Sequence, residues 1–239
     1  MASEYLKWKY RDVKPREKVE LTRSEKRKNW WHYHKWHMVI GAVLVLMGAS
    51  ILYQSLEIGK VKPDYQFAYV GTNPLPEDTA AALERSLAAF GTDANGDGQV
   101  VVTLRQYILN SEDPQTAMAG QVQLMSDLTG CESVFFLLED PERFQRDYLT
   151  LCKRDGSLPE EGDDSAEGTY WLWSQCPVLA GMELGGYSYN LLGETVSGDS
   201  GELLSGLAVA RRGFWTEKDA PYPEECGALW TALTEGAAE

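Results

Sequence analysis

The segment DANGDG, residues 93–98, places side-chain oxygen atoms at alternate positions. Asp93, Asn95 and Asp97 supply these oxygens, and Gln99 follows two residues later. A calcium loop of the EF-hand type takes oxygen ligands at its positions 1, 3 and 5 and a backbone carbonyl at position 7. These residues therefore form a candidate calcium site, and calcium is the one cofactor that the sequence suggests.

A turn without metal is the alternative for the same loop. Position 12, which supplies a bidentate acid in an EF-hand, is Leu104 in this chain. The loop also lies between a predicted helix and a predicted strand, and Asn-Gly and Asp-Gly are common turn dipeptides. Calcium would need a further ligand from elsewhere, and its role would be structural.

Acidic side chains also cluster after the run SVFFLL, residues 133–138. Glu139, Asp140 and Glu142 follow this predicted strand, and a pair of such carboxylates can act as general acid and base. The same cluster is typical of a solvated turn between a strand and a helix, so both interpretations stay open.

Histidine is absent from the sequence after position 37. This excludes Ser-His-Asp and Cys-His nucleophile systems and His-ligated zinc from the C-terminal part. His32, His34 and His37 all lie in NWWHYHKWH, residues 29–37. We interpret that segment as an aromatic belt at a membrane surface, although His34 and His37 would share a helix face and could bind a metal.

Four cysteines lie in the C-terminal part, without the CxxC spacing of redox or zinc sites. They allow three disulfide pairings, and isolated buried thiols are the alternative. These residues are Cys131, Cys152, Cys176 and Cys226.

The charge is divided unevenly along the chain. Residues 1–37 carry a net charge of +6, and the remainder carries −20. Between these parts, residues 36–56 contain no charged side chain. A helix of that length spans about 31 Å, the thickness of a bilayer core. The sequence thus predicts a basic tail (1–37), a transmembrane helix (38–56), a linker (57–64) and an α/β domain (65–236).

The basic flank of the apolar run predicts its orientation. Positive residues concentrate on the cytoplasmic side of a membrane helix, so we expect a single-pass protein with a cytoplasmic N-terminus and an extracellular domain. A cleaved signal peptide is the alternative, because GAS at residues 48–50 offers a small-x-small cleavage site.

The first half of the domain predicts alternating strands and helices. Strands are expected at 65–70, 100–109 and 133–138. The first helix is expected to begin at Pro76 and end at Gly91, and the second to cover 113–130. The order β-α-β-α-β predicts a mainly parallel sheet in a three-layer α/β fold. Predicted core positions on the helices are Ala81, Leu83, Leu87, Phe90, Ala117, Met118, Val122, Met125 and Leu128.

The second half of the domain is less regular. We expect a helix after Pro141, an exposed loop at 154–169 and a closing helix at 223–236. Short strands are expected in YWLW, CPVLAGMEL, YSYNLL and ELLSGLAVARRGFW, which begin at residues 170, 176, 187 and 202.

The helix and strand AMAGQVQLMSDLTGCESVFFLL, the basic strand GLAVARR (206–212) and the helix CGALWTAL (226–233) together resemble a known family. They are similar to one lobe of the extracellular solute-binding proteins of ABC importers. The resemblance covers residues 65–235 and implies a membrane-anchored, one-lobe relative. Ligands of open α/β sheets lie beyond the carboxyl ends of the strands, here near residues 71–74, 110–113 and 139–142.

We therefore expect an integral membrane protein that displays a solute-binding-like interaction module for a small-molecule or protein ligand. We expect no nucleic-acid partner, since a domain with a net charge of −20 repels phosphate. A carboxylate-dependent extracytoplasmic enzyme and an accessory subunit of a membrane complex are the alternatives.

Overall fold

The computed structural model describes residues 22–55, 62–109, 111, 113–160, 162–191, 194–213 and 220–238, without the side chains of 53–55, 190, 191 and 194. Most of the predicted basic tail and linker lies outside these residues, as do position 56 and residues 214–219. The chain divides into two units, Met1–Lys60 and Val61–Glu239.

The described part of the first unit is a single helix, α1, at Arg23–Ser55. It is long and apolar enough to cross a membrane. The helix begins well before residue 38, so the predicted aromatic belt and the apolar run form one continuous element. Within the belt, the Trp30 and His34 rings stack at 5.0 Å, and His34 Nδ1 lies 2.9 Å from the Trp30 carbonyl oxygen.

The second unit is built on a mostly parallel sheet of five strands in the order β2-β1-β3-β7-β4. β1, β2 and β3 are parallel, which confirms the predicted β-α-β-α-β half. β7 is antiparallel to β3 and to β4, and β5 and β6 form a separate antiparallel hairpin. The strands are Tyr65–Gly71 (β1), Val102–Ile108 (β2), Phe135–Leu138 (β3), Tyr170–Leu172 (β4), Gly186–Leu191 (β5), Glu194–Asp199 (β6) and Ala208–Arg211 (β7).

Six α-helices follow α1 in the described residues, together with a short 3-10 helix at Trp173–Gln175. The α-helices are Glu77–Ala88 (α2), Pro114–Gly130 (α3), Pro141–Tyr148 (α4), Pro177–Ala180 (α5), Ser200–Leu204 (α6) and Pro223–Leu233 (α7). The predicted proline starts of α3, α4 and α7 are confirmed, because proline tolerates the first helical position, where the N–H has no intrahelical partner. Asp113 caps α3 by accepting hydrogen bonds from the N–H groups of Gln115 and Thr116.

The core consists of two clusters, to which successive residues of the central strands contribute alternately. Phe135 and Leu137 of β3 pack with α2 and α7, whereas Phe136 and Leu138 pack with α3 and α4. All four side chains are buried, as expected for a central strand that is covered on both faces. The observed strand begins two residues after the predicted start at residue 133.

The predicted core face of α3 is confirmed at Leu128 and wrong at three other positions. Met118 and Val122 are 69% and 65% exposed, and Met125 is also exposed. Besides Leu128, the helix buries Gly120, Leu124 and Asp127, which were not predicted. Gly120 is required because a Cβ there would clash with the carbonyl oxygen of Ile108. A glycine and an aspartate thus occupy two core positions, which the apolar pattern did not indicate.

Other predicted elements also need correction. On α2, Leu83 and Leu87 are buried as expected, but Ala81 is exposed. Phe90 lies beyond the end of the helix at Ala88 and is 40% exposed. CPVLAGMEL forms no strand, since Pro177 begins the short helix α5. In YWLW, only the first three residues form a strand, and Trp173 fills the core.

Candidate functional site

The expected ligand position at the carboxyl ends of the parallel strands contains a pocket. Its volume is about 220 Å³. β1 contributes Val70 and Gly71, and the turn between β3 and α4 contributes Glu139 and Asp140. Among the described residues, the lining consists of Val70, Gly71, Thr72, Leu109, Glu139, Asp140, Arg143, Phe144, Asp147 and Tyr148. We call this the strand-end pocket.

Glu139 connects the ends of β1 and β3 across this pocket. Its carboxylate accepts hydrogen bonds from the Tyr69 hydroxyl at 2.6 Å and from the Thr72 N–H at 2.8 Å. Burial and the Glu139 carboxylate raise the pKa of Tyr69, so this phenol stays a donor. A Cβ on Gly71 would clash with the Tyr69 hydroxyl and come within 2.6 Å of the carboxylate, so this position requires glycine.

The other charged groups of the pocket belong to α4 and its N-terminal turn. Asp140 caps the helix by accepting a hydrogen bond from the Arg143 N–H at 2.9 Å. One turn apart on α4, Arg143 Nε lies 3.4 Å from a carboxylate oxygen of Asp147. Three carboxylates therefore line the pocket with one guanidinium, and the aromatic rings of Phe144 and Tyr148 form the apolar wall.

Of the predicted acidic cluster, Glu139 and Asp140 enter the pocket, whereas Glu142 is absent from its lining. Both carboxylates have structural hydrogen bonds, one to the end of β1 and one to the helix N-terminus. The arrangement positions fixed negative charge beside an aromatic wall, which suits binding of a positively charged group. The predicted contribution from residues 110–113 includes positions 110 and 112, which lie outside the described residues.

The DANGDG loop is an exposed series of tight turns between α2 and β2. One Asp93 oxygen accepts hydrogen bonds from the N–H groups of Gly96 and Asp97 at 2.7 and 3.1 Å. The other accepts from Gly98 at 2.8 Å. Asn95 accepts from the Asp97 N–H, and Asp97 accepts from the Gln99 N–H. The side-chain oxygens thus turn toward the backbone of their own loop.

Asp64, just before β1, joins this loop to the sheet. It was not among the predicted site residues. Its carboxylate accepts hydrogen bonds from the N–H groups of Ala94, Asn95 and Val101, at 2.7 to 3.0 Å. Leu104 is buried in β2, so position 12 supplies no oxygen. The donor set fits calcium in part, with oxygens at positions 1, 3 and 5, and the calcium site stays a prediction. No group of three or more His, Cys, Asp or Glu side chains that could hold a metal occurs in the described part of the chain.

A second buried carboxylate, that of Asp127 on α3, was also not predicted from the sequence. It accepts hydrogen bonds from the Ser133 N–H and hydroxyl at 2.8 and 2.6 Å and from the Gln66 amide at 3.1 Å. The Tyr107 hydroxyl donates to the same carboxylate. Asp127 is 2% exposed, and the network joins α3 to β1, β2 and the approach to β3.

All four cysteines of the domain are buried. Cys152, Cys176 and Cys226 are free thiols in the structure. Burial raises the pKa of all three, that of Cys176 to about 11 and that of Cys226 to about 12. These thiols are therefore protonated at neutral pH, which suits packing rather than nucleophilic chemistry.

Two arginines at the end of β7 were missed as candidate binding residues. Arg212 is 3% exposed, and its Nε and Nη1 atoms have no hydrogen-bond partner. Arg211 Nε is likewise buried without a partner. The available signal was a pair of adjacent basic residues ending a buried strand in a strongly acidic domain.

No family model, curated protein or solved structure matches this chain. The resemblance to solute-binding proteins therefore stays a prediction from motifs, and the functional argument rests on the chain's own geometry.

Proposed function

We propose that this chain is a single-pass membrane protein that displays an extracytoplasmic α/β binding module. α1 anchors it, the basic N-terminal tail lies in the cytoplasm, and residues 62–238 contain the module. A three-layer arrangement, with helices over both faces of the sheet, is consistent with the two core clusters.

The exposure of α1 is the observation that carries the proposal. Leu44, Val45 and Leu46 are 62% to 71% exposed, although they are among the most apolar side chains of the chain. No residue of the most apolar 18-residue stretch in the described part of this helix is buried. Apolar surface in water costs about 25 cal/mol per Å², so a lipid environment stabilises this helix.

Extraction of membranes tests the anchor. The full-length chain should remain in the membrane pellet after washing with alkaline carbonate. Replacing Leu44 and Met47 by Arg should move the chain to the supernatant, since a charge at the bilayer centre costs about 2.5–3.5 kcal/mol. The matched control, Leu44→Ile with Met47→Leu, should stay in the pellet. Release of the unmodified chain, or a mature mass that lacks residues 1–50, would contradict the anchor.

We place the ligand of the module at the strand-end pocket. Glu139, Asp140 and Asp147 surround it with negative charge, and Arg143 is the one positively charged residue in the described part of its lining. Such a site attracts cations and repels anions. The engagement of Glu139 and Asp140 in structural hydrogen bonds favours binding over acid–base catalysis. A small ligand bearing an amino group fits these features.

Amine binding tests this assignment. We expect putrescine to bind the detergent-solubilised full chain measurably by calorimetry, and acetate at the same ionic strength to give no heat. Asp147→Asn should weaken putrescine binding, because it removes a carboxylate that is half exposed in the pocket. Asp78→Asn, on the exposed first turn of α2, is the control and should bind normally. If both variants lost affinity for putrescine equally, the binding would reflect general attraction by an acidic domain and not this pocket.

The exposed side of α3 favours an accessory subunit of a membrane complex as a second candidate. Apart from Asp127, which is buried, this 17-residue helix has no charged residue. Its exposed side chains include Met118, Val122 and Met125, and the cores of protein interfaces are similarly depleted of charge. A photoreactive residue at Val122 should then cross-link to a membrane protein in cells, whereas one at Arg105 on β2 should not.

A further inference from the structure

The N-terminal end of α1 extends well beyond the length that a bilayer core requires. α1 has 33 residues, or about 50 Å at 1.5 Å per residue, whereas about 30 Å spans the hydrocarbon core. The uncharged residues 36–55 supply that length. Residues 23–35 therefore continue the helix about 20 Å past the core. The headgroup layer of one leaflet is about 5–8 Å thick, so this extension crosses it and reaches water.

This extension of α1 is strongly basic, with five basic side chains and one acidic side chain. The acidic residue, Glu25, is engaged at the start of the helix. Its carboxylate accepts hydrogen bonds from the N–H and the hydroxyl of Thr22 at 2.9 and 2.8 Å. No ion pair of the basic side chains occurs in the described part of the chain, so their charge is available to a partner. They are Arg23, Lys26, Arg27 and Lys28, which are exposed, and Lys35, which is half-buried.

One face of the extension combines basic side chains with a tryptophan. Lys28, Trp31 and Lys35 follow one another at spacings of three and four residues, which places them on the same side of a helix. Arg27 joins this side because it precedes Trp31 by four residues. We call Arg27, Lys28, Trp31 and Lys35 the basic stripe. An open groove of about 520 Å³ lies along it, lined among the described residues by Ser24, Arg27, Lys28, Trp30 and Trp31.

The basic stripe begins at the depth of the lipid headgroups. Lys35 lies about 2 Å and Trp31 about 8 Å beyond residue 36 along the helix axis. Helix side chains lean toward the N-terminus, here away from the hydrocarbon, so the Lys35 ammonium reaches the level of the lipid phosphates. Trp31 is 56% exposed, and indole rings prefer this layer. Lys28 lies about 12 Å beyond residue 36, which is within one Debye length, about 8 Å, of the headgroup surface.

We propose that the basic stripe binds anionic phospholipids of the leaflet that surrounds it. The lipid phosphate lies beside the Lys35 ammonium, and the Trp31 indole packs against the lipid below it. Arg27 and Lys28 add attraction to the negative surface of the leaflet, because each basic residue close to such a surface favours binding. The partner is therefore a negatively charged lipid surface. This proposal rests on the membrane anchor of the proposed function and is independent of the amine site in the strand-end pocket.

Quenching of tryptophan fluorescence by brominated lipids tests the proposal. The full-length chain is reconstituted in phosphatidylcholine vesicles that contain a small fraction of lipid with brominated acyl chains. At equal mole fraction, brominated phosphatidylglycerol should quench more strongly than brominated phosphatidylcholine, because the anionic lipid is enriched around Trp31. The ratio of the two quenching efficiencies measures the preference for anionic lipid.

Two double variants with the same loss of charge separate the basic stripe from the general charge of the segment. Lys28→Gln with Lys35→Gln should lower the preference about fivefold or more, the effect of one basic residue near an anionic leaflet. Arg23→Gln with Lys26→Gln removes two charges outside the stripe and should keep most of the preference. Lys28→Arg with Lys35→Arg preserves the charge and should keep it too. All these positions lie outside the α/β domain, so the domain should fold in every variant.

The outcomes distinguish this proposal from the anchor on which it rests. Equal quenching of the unmodified chain by both lipids would overturn lipid recognition and leave the anchor in place, whereas no quenching by either lipid would contradict the anchor itself. Equal losses in the two glutamine variants would overturn the role of the basic stripe. Retention of a DNA duplex by the chain in neutral detergent, together with equal quenching by both lipids, would point to nucleic acid as the partner and overturn the proposal.

Discussion

At the scale of single residues, several acidic side chains of this domain accept hydrogen bonds from its own backbone. Asp64, Asp93 and Asp140 each accept hydrogen bonds from N–H groups at turns or helix ends. These hydrogen bonds satisfy backbone N–H groups that would otherwise lack acceptors. They also explain why motif reading alone does not separate a metal loop from a structural turn.

A calcium titration distinguishes a metal-binding DANGDG loop from a turn without metal. If Asp93, Asn95, Asp97 and Gln99 bind the ion, a hundredfold excess over Kd stabilises the fold by about 2.7 kcal/mol. The melting temperature of the full chain should then rise with calcium and fall with chelator. Replacing Asp93 and Asp97 by Asn should abolish this response and retain the fold. A melting temperature indifferent to calcium and chelator would leave the loop as a turn.

The buried thiols lead to a second prediction at this scale. Because burial raises the pKa of Cys176 to about 11 and that of Cys226 to about 12, both should resist iodoacetamide at pH 8 in the folded chain. Unfolding in guanidinium should make both react fully, as peptide mass spectrometry would show. The same measurement on unreduced protein reveals any disulfide, and a disulfide at either residue would contradict the free thiols of the structure.

At the scale of elements, α3 shows most clearly how a helix face is selected. Leu124 is fully buried, whereas its neighbour Met125 is 48% exposed. Leu124→Ala should therefore reduce the free energy of unfolding by about 2–5 kcal/mol. Met125→Ala should change it by less than about 0.5 kcal/mol. Chemical denaturation of the two variants measures this difference, and equal costs would mean that the helix packs with another face.

The secondary-structure elements could be predicted from the sequence better than the tertiary contacts between their side chains. Proline and acidic residues marked the starts of α3, α4 and α7, and the apolar run marked β3, because these signals are local. The buried side of α3 was missed because it depends on contacts with β2. Gly120 lies against the Ile108 carbonyl oxygen, and the Asp127 carboxylate accepts a hydrogen bond from Tyr107. Neither contact is visible in the local sequence pattern of α3. The strand-end pocket was anticipated at Glu139 and Asp140, since topology alone places strand ends together. Arg211 and Arg212 were missed because the unpartnered N–H groups of their guanidinium groups are visible only in three dimensions.

At the scale of the whole molecule, the division of charge is the dominant feature. A net charge of +6 precedes the apolar span and −20 follows it. Positive flanks stay on the cytoplasmic side of a membrane, so we propose that the tail and the domain lie on opposite sides of the membrane. The proposed amine site in the strand-end pocket would then face the extracytoplasmic space.

Protease protection tests this central claim most directly. Intact cells or protoplasts should carry the full-length chain with one epitope tag at each end and be treated with a protease that cannot cross the membrane. We predict loss of the C-terminal tag and survival of a membrane-bound fragment that retains the N-terminal tag. Permeabilisation should then expose the N-terminal tag to digestion. Loss of the N-terminal tag from intact cells, with the C-terminal domain protected, would contradict the account.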